Sequence, residues 1–555
     1  ALVKVLELFP RDDLFQIDPA TLFQFSMAIL QLDEHPRVRV LAWRERFERF
    51  VSVLVFVPRD RYGSEVRERI GRLLEASFGG QVAAFRPLFV EGPLTRVHFI
   101  VEQTGAPVRE VGRIELEDAV AGIIRTWGDA FGAALGLVFP PAQATALARR
   151  YGEAFPVGYQ SSYTPEEALA DLRLIERLSA HHPVAADFAR APSVPGRERI
   201  ALKVLSYEVP RLLSERVPML EAMGFVVVDE RTFTVRPEGT PPVYVHDMVL
   251  GRRGGGEIAL DVLEGRLHST LMAVLRGLAE SDGFNALALN ARLGWRDIAL
   301  LRTLARYLRQ IGVPFSQDYL WATLNAHPAI VDRLVALFHA RFDVDQPERR
   351  EERQAAIREE IEAALAEVQS LDEDRILRRF ANLIEAAVRT NFHQRGEDGG
   401  FRPTIAIKFL SHKVEGLPLP RPLFEIFVHS PRVEGIHLRF GRVARGGLRW
   451  SDRPQDFRTE VLGLVKAQQV KNAVIVPVGA KGGFVPARLP SGPREAIQAE
   501  GVEAYELFIS SLLDVTDNID GGAIVPPPQT VRHDEDDPYL VVAADKGTAT
   551  FSDTA

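Results

Sequence analysis

The sequence predicts a multidomain α/β protein, with small ferredoxin-like α+β units and helical segments leading into an α/β domain that carries the chemistry. Three observations predict this. Residues 38–102 alternate as strand, strand, helix, strand, strand, and a shorter run of that kind starts near Ala201. Residues 259–391 are almost wholly helical in pattern. Beyond Arg402 the pattern turns β-rich, and residues 441–485 gather Arg445, Arg449, Lys471 and Lys481 with two glycine pairs. At 555 residues the chain is too long for one core, and its length implies three to five domains.

Composition narrows the class. Hydrophobic residues make up 46% of the chain, and no run approaches the ~18 apolar residues that span a bilayer. The formal charge of -8 argues against a nucleic-acid binder, which would show a basic surface. Without cysteine there are no disulfides, thiolate nucleophiles or cysteine-bound metals, which fits a reducing cytoplasm. The first residue is Ala1, no secretory signal follows it, and the chain stops soon after a strand-like 539–544. Both ends look cut, so an internal piece of a longer polypeptide is expected.

Taken in order, residues 38–42 and 50–57 read as strands, 63–76 as a helix, and 82–89 and 96–101 as strands, placing a ferredoxin-like domain in 1–105. A helical domain and connection follow in 106–199, with Thr164 as a helix cap and 187–199 as linker. A second unit in 200–256 has strands at 201–207, 225–229 and 243–250, with a helix at 209–223 stopped by Gly224. Residues 257–395 form a helical domain, in which 346–367 reads as a solvated helix face and Trp295 starts a helix. QRGEDGGFR at 394–402 reads as a flexible joint, and 396–555 as the final domain, with strands at 404–409, 423–429 and 435–440.

In that domain 461–471 reads as a helix and 473–478 as a buried strand running into a Gly-Ala-Lys-Gly-Gly loop. A lysine on such a loop fits a small anion approached closely by backbone and ammonium groups. Two cations about 4 Å apart repel by roughly 4 kcal/mol at an effective dielectric of 20, so a cationic cleft attracts anions and depresses a lysine pKa. That makes Lys481 or Lys471 a candidate base and Arg445 a fixed anchor, since arginine does not deprotonate. A structural salt-bridge cluster would use the same residue types. No Walker, HExxH or GxSxG motif is present, and Gly254, Gly256 and Ala259 meet only a loose GxGxxA pattern. The acidic run 534–537 invites a metal reading, but a solvated turn explains it more simply.

At these residues the sequence resembles the glutamate dehydrogenase family, in particular its large NAD-dependent bacterial type. The resemblance lies in Arg445-Gly446-Gly447-Leu448-Arg449, Gln468-Gln469-Val470-Lys471, Pro477-Val478-Gly479-Ala480-Lys481-Gly482-Gly483 and Ala544-Asp545-Lys546-Gly547. It implies that the α+β units are ACT-like regulatory domains and that the last domain binds substrate. It further implies that Lys481 is the catalytic lysine, that Lys471 and Gln468 hold the α-carboxylate, and that Asp545 exchanges a proton with the α-nitrogen. Arg445, with Gly446 and Gly447, stands where smaller members have a lysine for the side-chain carboxylate.

The implied reaction is reversible NAD-dependent oxidation of L-glutamate to 2-oxoglutarate and ammonia, with NAD held mainly by a domain outside this chain, which alone would be inactive. Amino-acid effectors at the ACT-like units, a homotetramer or homohexamer, and a cytoplasmic location without nucleic-acid or membrane partners complete the expectation. Two alternatives stay open: a catalytically incomplete amino-acid-sensing and assembly module, and a dehydrogenase of another amino acid.

Overall fold

The computed structural model describes residues 5–551 except 7–8, 90–91, 104–110, 193–197, 472–478 and 546, with backbone alone at 33, 468–471 and 544. These residues form two compact units, one of 1–171 with 237–239 and one of the remainder.

In the first unit, helix α1 (Pro19–Glu34) is opened by Asp18, whose carboxylate accepts from the Thr21 amide, with proline at the first turn. Strands β1 (Arg39–Arg44) and β2 (Phe50–Pro58), helix α2 (Ser64–Phe78), strands β3 (Gly80–Phe89) and β4 (Leu94–Gln103) and helix α3 (Arg113–Ile124) follow. Their antiparallel sheet has the order β1-β2-β4-β3. Relative to the β-α-β-β-α-β ferredoxin-like run, the edge strand comes first in the chain instead of last. Strand β2 is apolar except at Ser52, whose hydroxyl donates to Asp13 at 2.6 Å, because both its faces are covered. Val51, Val53, Val55 and Val57 meet Ile70 and Leu74 of α2, while Leu54 and Phe56 meet Phe9, Ile29 and Trp43. Helix α3, beyond the expected boundary at 105, covers β1 and α2. Helices α4 (Trp127–Val138), α5 (Pro141–Tyr151), α6 (Val157–Ser162) and α7 (Pro165–Ile175) come next.

The second unit opens with the same topology. Strands β5 (Val184–Arg190) and β6 (Arg199–Tyr207), helix α8 (Leu213–Ala222), strands β7 (Phe225–Val235) and β8 (Val243–Arg252) and helix α9 (Leu260–Leu275) give the order β5-β6-β8-β7. The linker expected at 187–199 is therefore in part strand β5, and the run begins ahead of residue 200. Alanines and an arginine in Val-Ala-Ala-Asp-Phe-Ala-Arg dilute its apolar alternation, although Val184, Ala186 and Phe188 all face the core. Gly224 does stop the helix region, in the left-handed conformation at φ 89°.

Helices α10 (Trp295–Gln310), α11 (Gln317–Ala326), α12 (Pro328–Phe342), α13 (Arg350–Leu365) and α14 (Leu371–Ala386) follow, α11 and α14 capped by Ser316 and Ser370. Strand β9 (Ala387–Thr390) continues directly from α14, within residues expected to be helical. The expected joint at 394–402 is a tied turn. Arg395 pairs with Phe401 across it and lays its guanidinium 3.6 Å from that ring centre, while Arg296 donates to the Arg402 and Thr404 carbonyls.

The remaining strands are β10 (Ile405–Leu410), β11 (Phe424–His429), β12 (Val433–Arg439), β13 (Gly446–Trp450), β14 (Ala480–Pro486), a small hairpin of β15 (Asn518–Asp520) and β16 (Ala523–Val525), and β17 (Val542–Ala544). Helix α15 (Phe457–Lys471) joins β13 to β14, and α16 (Arg494–Leu513) follows β14. A seven-stranded mixed sheet runs β17-β13-β14-β12-β11-β10-β9. One face is tied to α10 and α15 through fully buried Arg458, which pairs with Glu425, while Tyr307 donates to the same carboxylate at 2.8 Å. The other face packs on α16 through Phe484, Tyr505 and Phe508.

On that second face lies a buried ion network. Lys408 of β10 reaches Asp534 at 2.5 Å and Asp537 at 2.6 Å. Arg389 of β9 takes Asp517 bidentately and Asp534 at 2.6 Å, and Arg439 of β12 closes on Asp537 and the Tyr539 carbonyl. The acidic run is thus neither a metal site nor a solvated turn: Asp534 and Asp537 point inward, and Glu535 and Asp536 outward. Among the described residues no group of three His, Asp or Glu could hold a metal, and no helix is long and apolar enough to cross a membrane.

Burial pushes Asp517 and Asp537 toward higher pKa, but the cations around them outweigh it and hold both below the usual carboxylate value. Arg389→Met should cost ~3–5 kcal/mol in urea unfolding at pH 7, because Asp517 stays buried with a poorer partner set. A loss under ~1 kcal/mol would mean the network is inert. Depressed carboxylates stabilise above their unfolded pKa of about 4, and that contribution is lost as pH falls through the lower folded values. The urea midpoint of the wild type should therefore drop steeply below about pH 4, and less steeply in Arg389→Met.

Candidate active site

Three neighbouring strands run parallel at one end of the large sheet. Leu448 of β13 pairs with Gly482 of β14 on one side and with Ala544 of β17 on the other, and Arg445 bridges to Gly479. Side chains alternate along a strand, so this register places Arg445, Gly447 and Arg449 on one face with Lys481 and Gly483. Asp545, the residue after β17, falls on the same side. Leu448, Trp450, Gly482 and Phe484 take the opposite face, against α16.

The glycine loops expected from sequence are strands. Gly446 and Gly447 open β13, and Lys481, Gly482 and Gly483 lie within β14. Packing accounts for the second pair. A β-carbon on Gly482 would collide with Leu448, and one on Gly483 would sit 2.6 Å from Val461 of α15. Helix α15 lies on β14 at that point. The strand expected at 473–478 lies outside the described residues.

Lys481 forms an ion pair with Asp545, and the two side chains are 14% and 28% exposed, so the pair faces solvent without being free in it. Arg449 is committed elsewhere, to Glu460 of α15 at 2.8 Å, and Ser451 donates to the other oxygen of that carboxylate at 2.6 Å. Arg445 is exposed, and its side chain has no hydrogen bond or ion pair among the described residues. Gln468 and Lys471 lie in the last turn of α15, but their side chains are outside the described residues. Among the described side chains the expected crowd of cations is thus two ion pairs plus one open arginine. This arrangement can hold an anion at Arg445 and move a proton between an ammonium and a carboxylate beside it.

Asp545 is fixed from both sides. Before it, the ion network holds 534–539, and after it the fully buried Thr548 hydroxyl accepts from the Asp545 amide at 2.8 Å. Sequence reading misses Glu460, Thr548, Lys408, Arg389 and Arg439. One signal does point to Lys408: of 67 basic residues only eight are lysines, and six of those eight lie between 408 and 546. In a chain that otherwise uses arginine, a retained lysine marks a site where a compact charge is needed. Glu460 carries no comparable signal.

The loose glycine pattern does not fit a dinucleotide. Gly254, Gly255 and Gly256 follow β8 with positive φ, but β8 is antiparallel to both of its neighbours, and among the described residues no strand parallel to β8 follows α9 to complete the crossover.

A model of the bacterial NAD-glutamate dehydrogenase catalytic domain matches residues 360–555. Glutamate dehydrogenase helical motifs 1, 2 and 3 match 1–35, 134–178 and 279–344, and the ACT2 and ACT3 domains match 39–128 and 183–263, the two ferredoxin-like runs. The NAD-specific glutamate dehydrogenase of Pseudomonas aeruginosa is 44% identical over 558 residues, and that of Halomonas elongata 45% over 556. The protein of that name from Mycobacterium tuberculosis is 43% identical over 585 residues. Each alignment takes in the whole chain, which spans about a third of the relative's length (34%, 34% and 35%). With every sheet and helical segment covered by these matches, the chain belongs to the bacterial NAD-glutamate dehydrogenase family.

Proposed function

We propose that this chain supplies the substrate-binding half of an active site for the NAD-linked oxidative deamination of L-glutamate to 2-oxoglutarate and ammonia. The observation that carries the reading is the Lys481–Asp545 pair on the face that also holds the open guanidinium of Arg445. Arg445, beside Gly446 and Gly447, binds the side-chain carboxylate. Lys471 and Gln468 hold the α-carboxylate. NAD, held by residues other than those described, supplies the hydride acceptor when bound. With substrate between them, Lys481 and Asp545 act separately. The Lys481 side chain orients a water and, as the free amine, takes a proton from it as its oxygen bonds to the oxidised α-carbon, while the Asp545 carboxylate exchanges a proton with the α-nitrogen.

The curated relatives carry the name of this activity, which supports extending it to the present chain. The matches to ACT domains support a regulatory role for the two ferredoxin-like units; amino-acid effectors there, homo-oligomeric assembly and a cytoplasmic location are proposed alongside it. The division into two ACT-like units, two helical segments and a catalytic domain is proposed on the same ground.

In the complete polypeptide, Lys481→Ala should lower kcat for NAD-linked glutamate oxidation about 10²- to 10⁴-fold, the range of a lost acid–base group. Activity within about 2-fold of wild type would remove Lys481 from the chemistry. Arg445→Leu should lower kcat/KM for glutamate about 10- to 100-fold, the worth of a charged hydrogen bond, and leave norvaline, an apolar amino acid of matching chain length, nearly unaffected. An equal loss on both substrates would rule out Arg445 as the side-chain anchor.

A further inference from the structure

Strand β17 is three residues long, and its ladder to β13 ends at the pair Leu448–Ala544. Asp545 is thus the first residue beyond the ladder, where the backbone would ordinarily be released. A buried hydroxyl holds it there. Thr548, fully buried, accepts from the Asp545 amide at 2.8 Å and donates to the Leu448 carbonyl of β13 at 2.8 Å, with the Asp545 carbonyl a longer alternative at 3.2 Å. The Thr548 amide donates back to the Asp545 carbonyl at 3.0 Å. One side chain therefore extends the β13–β17 connection by one residue, the residue that carries the carboxylate.

We propose that Thr548 is a positioning residue for Asp545: its hydroxyl fixes the Asp545 backbone against Leu448 of the central strand and so sets the carboxylate at the Lys481 ammonium. The proposal rests on the reading of Asp545 as the proton-handling group. The competing explanation is that the turn is held by its apolar end alone, since Phe551 is buried and stacks near Trp450 and Tyr505, with ring centres 6.1 and 5.3 Å apart. In that case the hydroxyl would be dispensable.

The two can be separated in the complete polypeptide with Thr548→Val, which keeps the shape and removes the hydroxyl, and Thr548→Ser, which keeps the hydroxyl. Thr548→Val should lower kcat for glutamate oxidation about 10- to 100-fold, the effect of a small misplacement of a reacting group, with KM for glutamate within about 2-fold. Thr548→Ser should keep kcat within about 3-fold of wild type. On an Asp545→Asn background, Thr548→Val should bring almost no further loss, because its effect acts through the carboxylate. The proposal is overturned by an unchanged kcat in Thr548→Val, by a serine variant as impaired as the valine variant, or by losses that multiply in the double variant. Asp545→Asn on its own separates the two levels. Wild-type kcat in that variant would sink the active-site reading and this proposal with it, whereas a loss there beside an active Thr548→Val would sink the proposal alone.

Discussion

Three cations buried on one sheet face, Arg389, Lys408 and Arg439, require carboxylates, and that requirement decides where the chain after α16 must go. Each isolated charge would cost several kcal/mol to bury, so Asp517, Asp534 and Asp537 are drawn onto strands β9, β10 and β12. Backbone follows side chain. The amide of Asp537 donates to Asp517, the amide of Asp517 donates to the Asp537 carbonyl, and Arg439 takes the Tyr539 carbonyl. Three residues later the chain is strand β17, aligned beside β13. The network thereby converts charge pairing on β9, β10 and β12 into the placement of a carboxylate at the opposite edge of the sheet.

A second buried ion pair has the corresponding role on the opposite face. Arg458, in the first turn of α15, is locked to Glu425 and, through its amide, to Gln310 of α10. That fixes the start of the helix whose last turn carries Gln468 and Lys471, and it joins the helical segment to the sheet as one body. Neither pair is the most stable way to fill a core, since well-packed apolar residues of similar volume are often as stable or more so. Their geometric demands, two or three hydrogen bonds each with fixed directions, are what apolar packing cannot supply.

Much of this is legible in the sequence where local pattern and tertiary environment agree. The strands and helix of the first ferredoxin-like run are readable to within a few residues, because its central strand is an apolar run broken only by Ser52 and bounded by turns. The chemistry-bearing segment stands out through its unusual pairing of glycine with lysine and arginine. What stays hidden is long-range. Strand β5 is alanine-diluted and gains its identity from β6. Asp534 and Asp537 look like solvated charges until cations more than a hundred residues away are folded against them. Gly482 and Gly483 look like a loop because glycine signals freedom locally, whereas here it signals the close approach of Leu448 and Val461 from opposite faces.

The first glycine pair has a different logic, which follows from strand spacing. Lys481 and Asp545 belong to β14 and to the end of β17, and β13 runs between them. Neighbouring strands are about 4.8 Å apart, so the two backbones are separated by roughly 10 Å and their side chains must meet over the middle strand. Lys481 immediately precedes the Leu448–Gly482 pair, which sets it level with Gly447 on the same face. A side chain at Gly447 would stand in the path between ammonium and carboxylate. A glycine there lets the lysine reach its partner across the middle strand. Gly447 is thus a gap in the row of side chains on this face, with Arg445 two residues before it and Lys481 and Asp545 on its flanks. The gap brings groups from three strands together on one face.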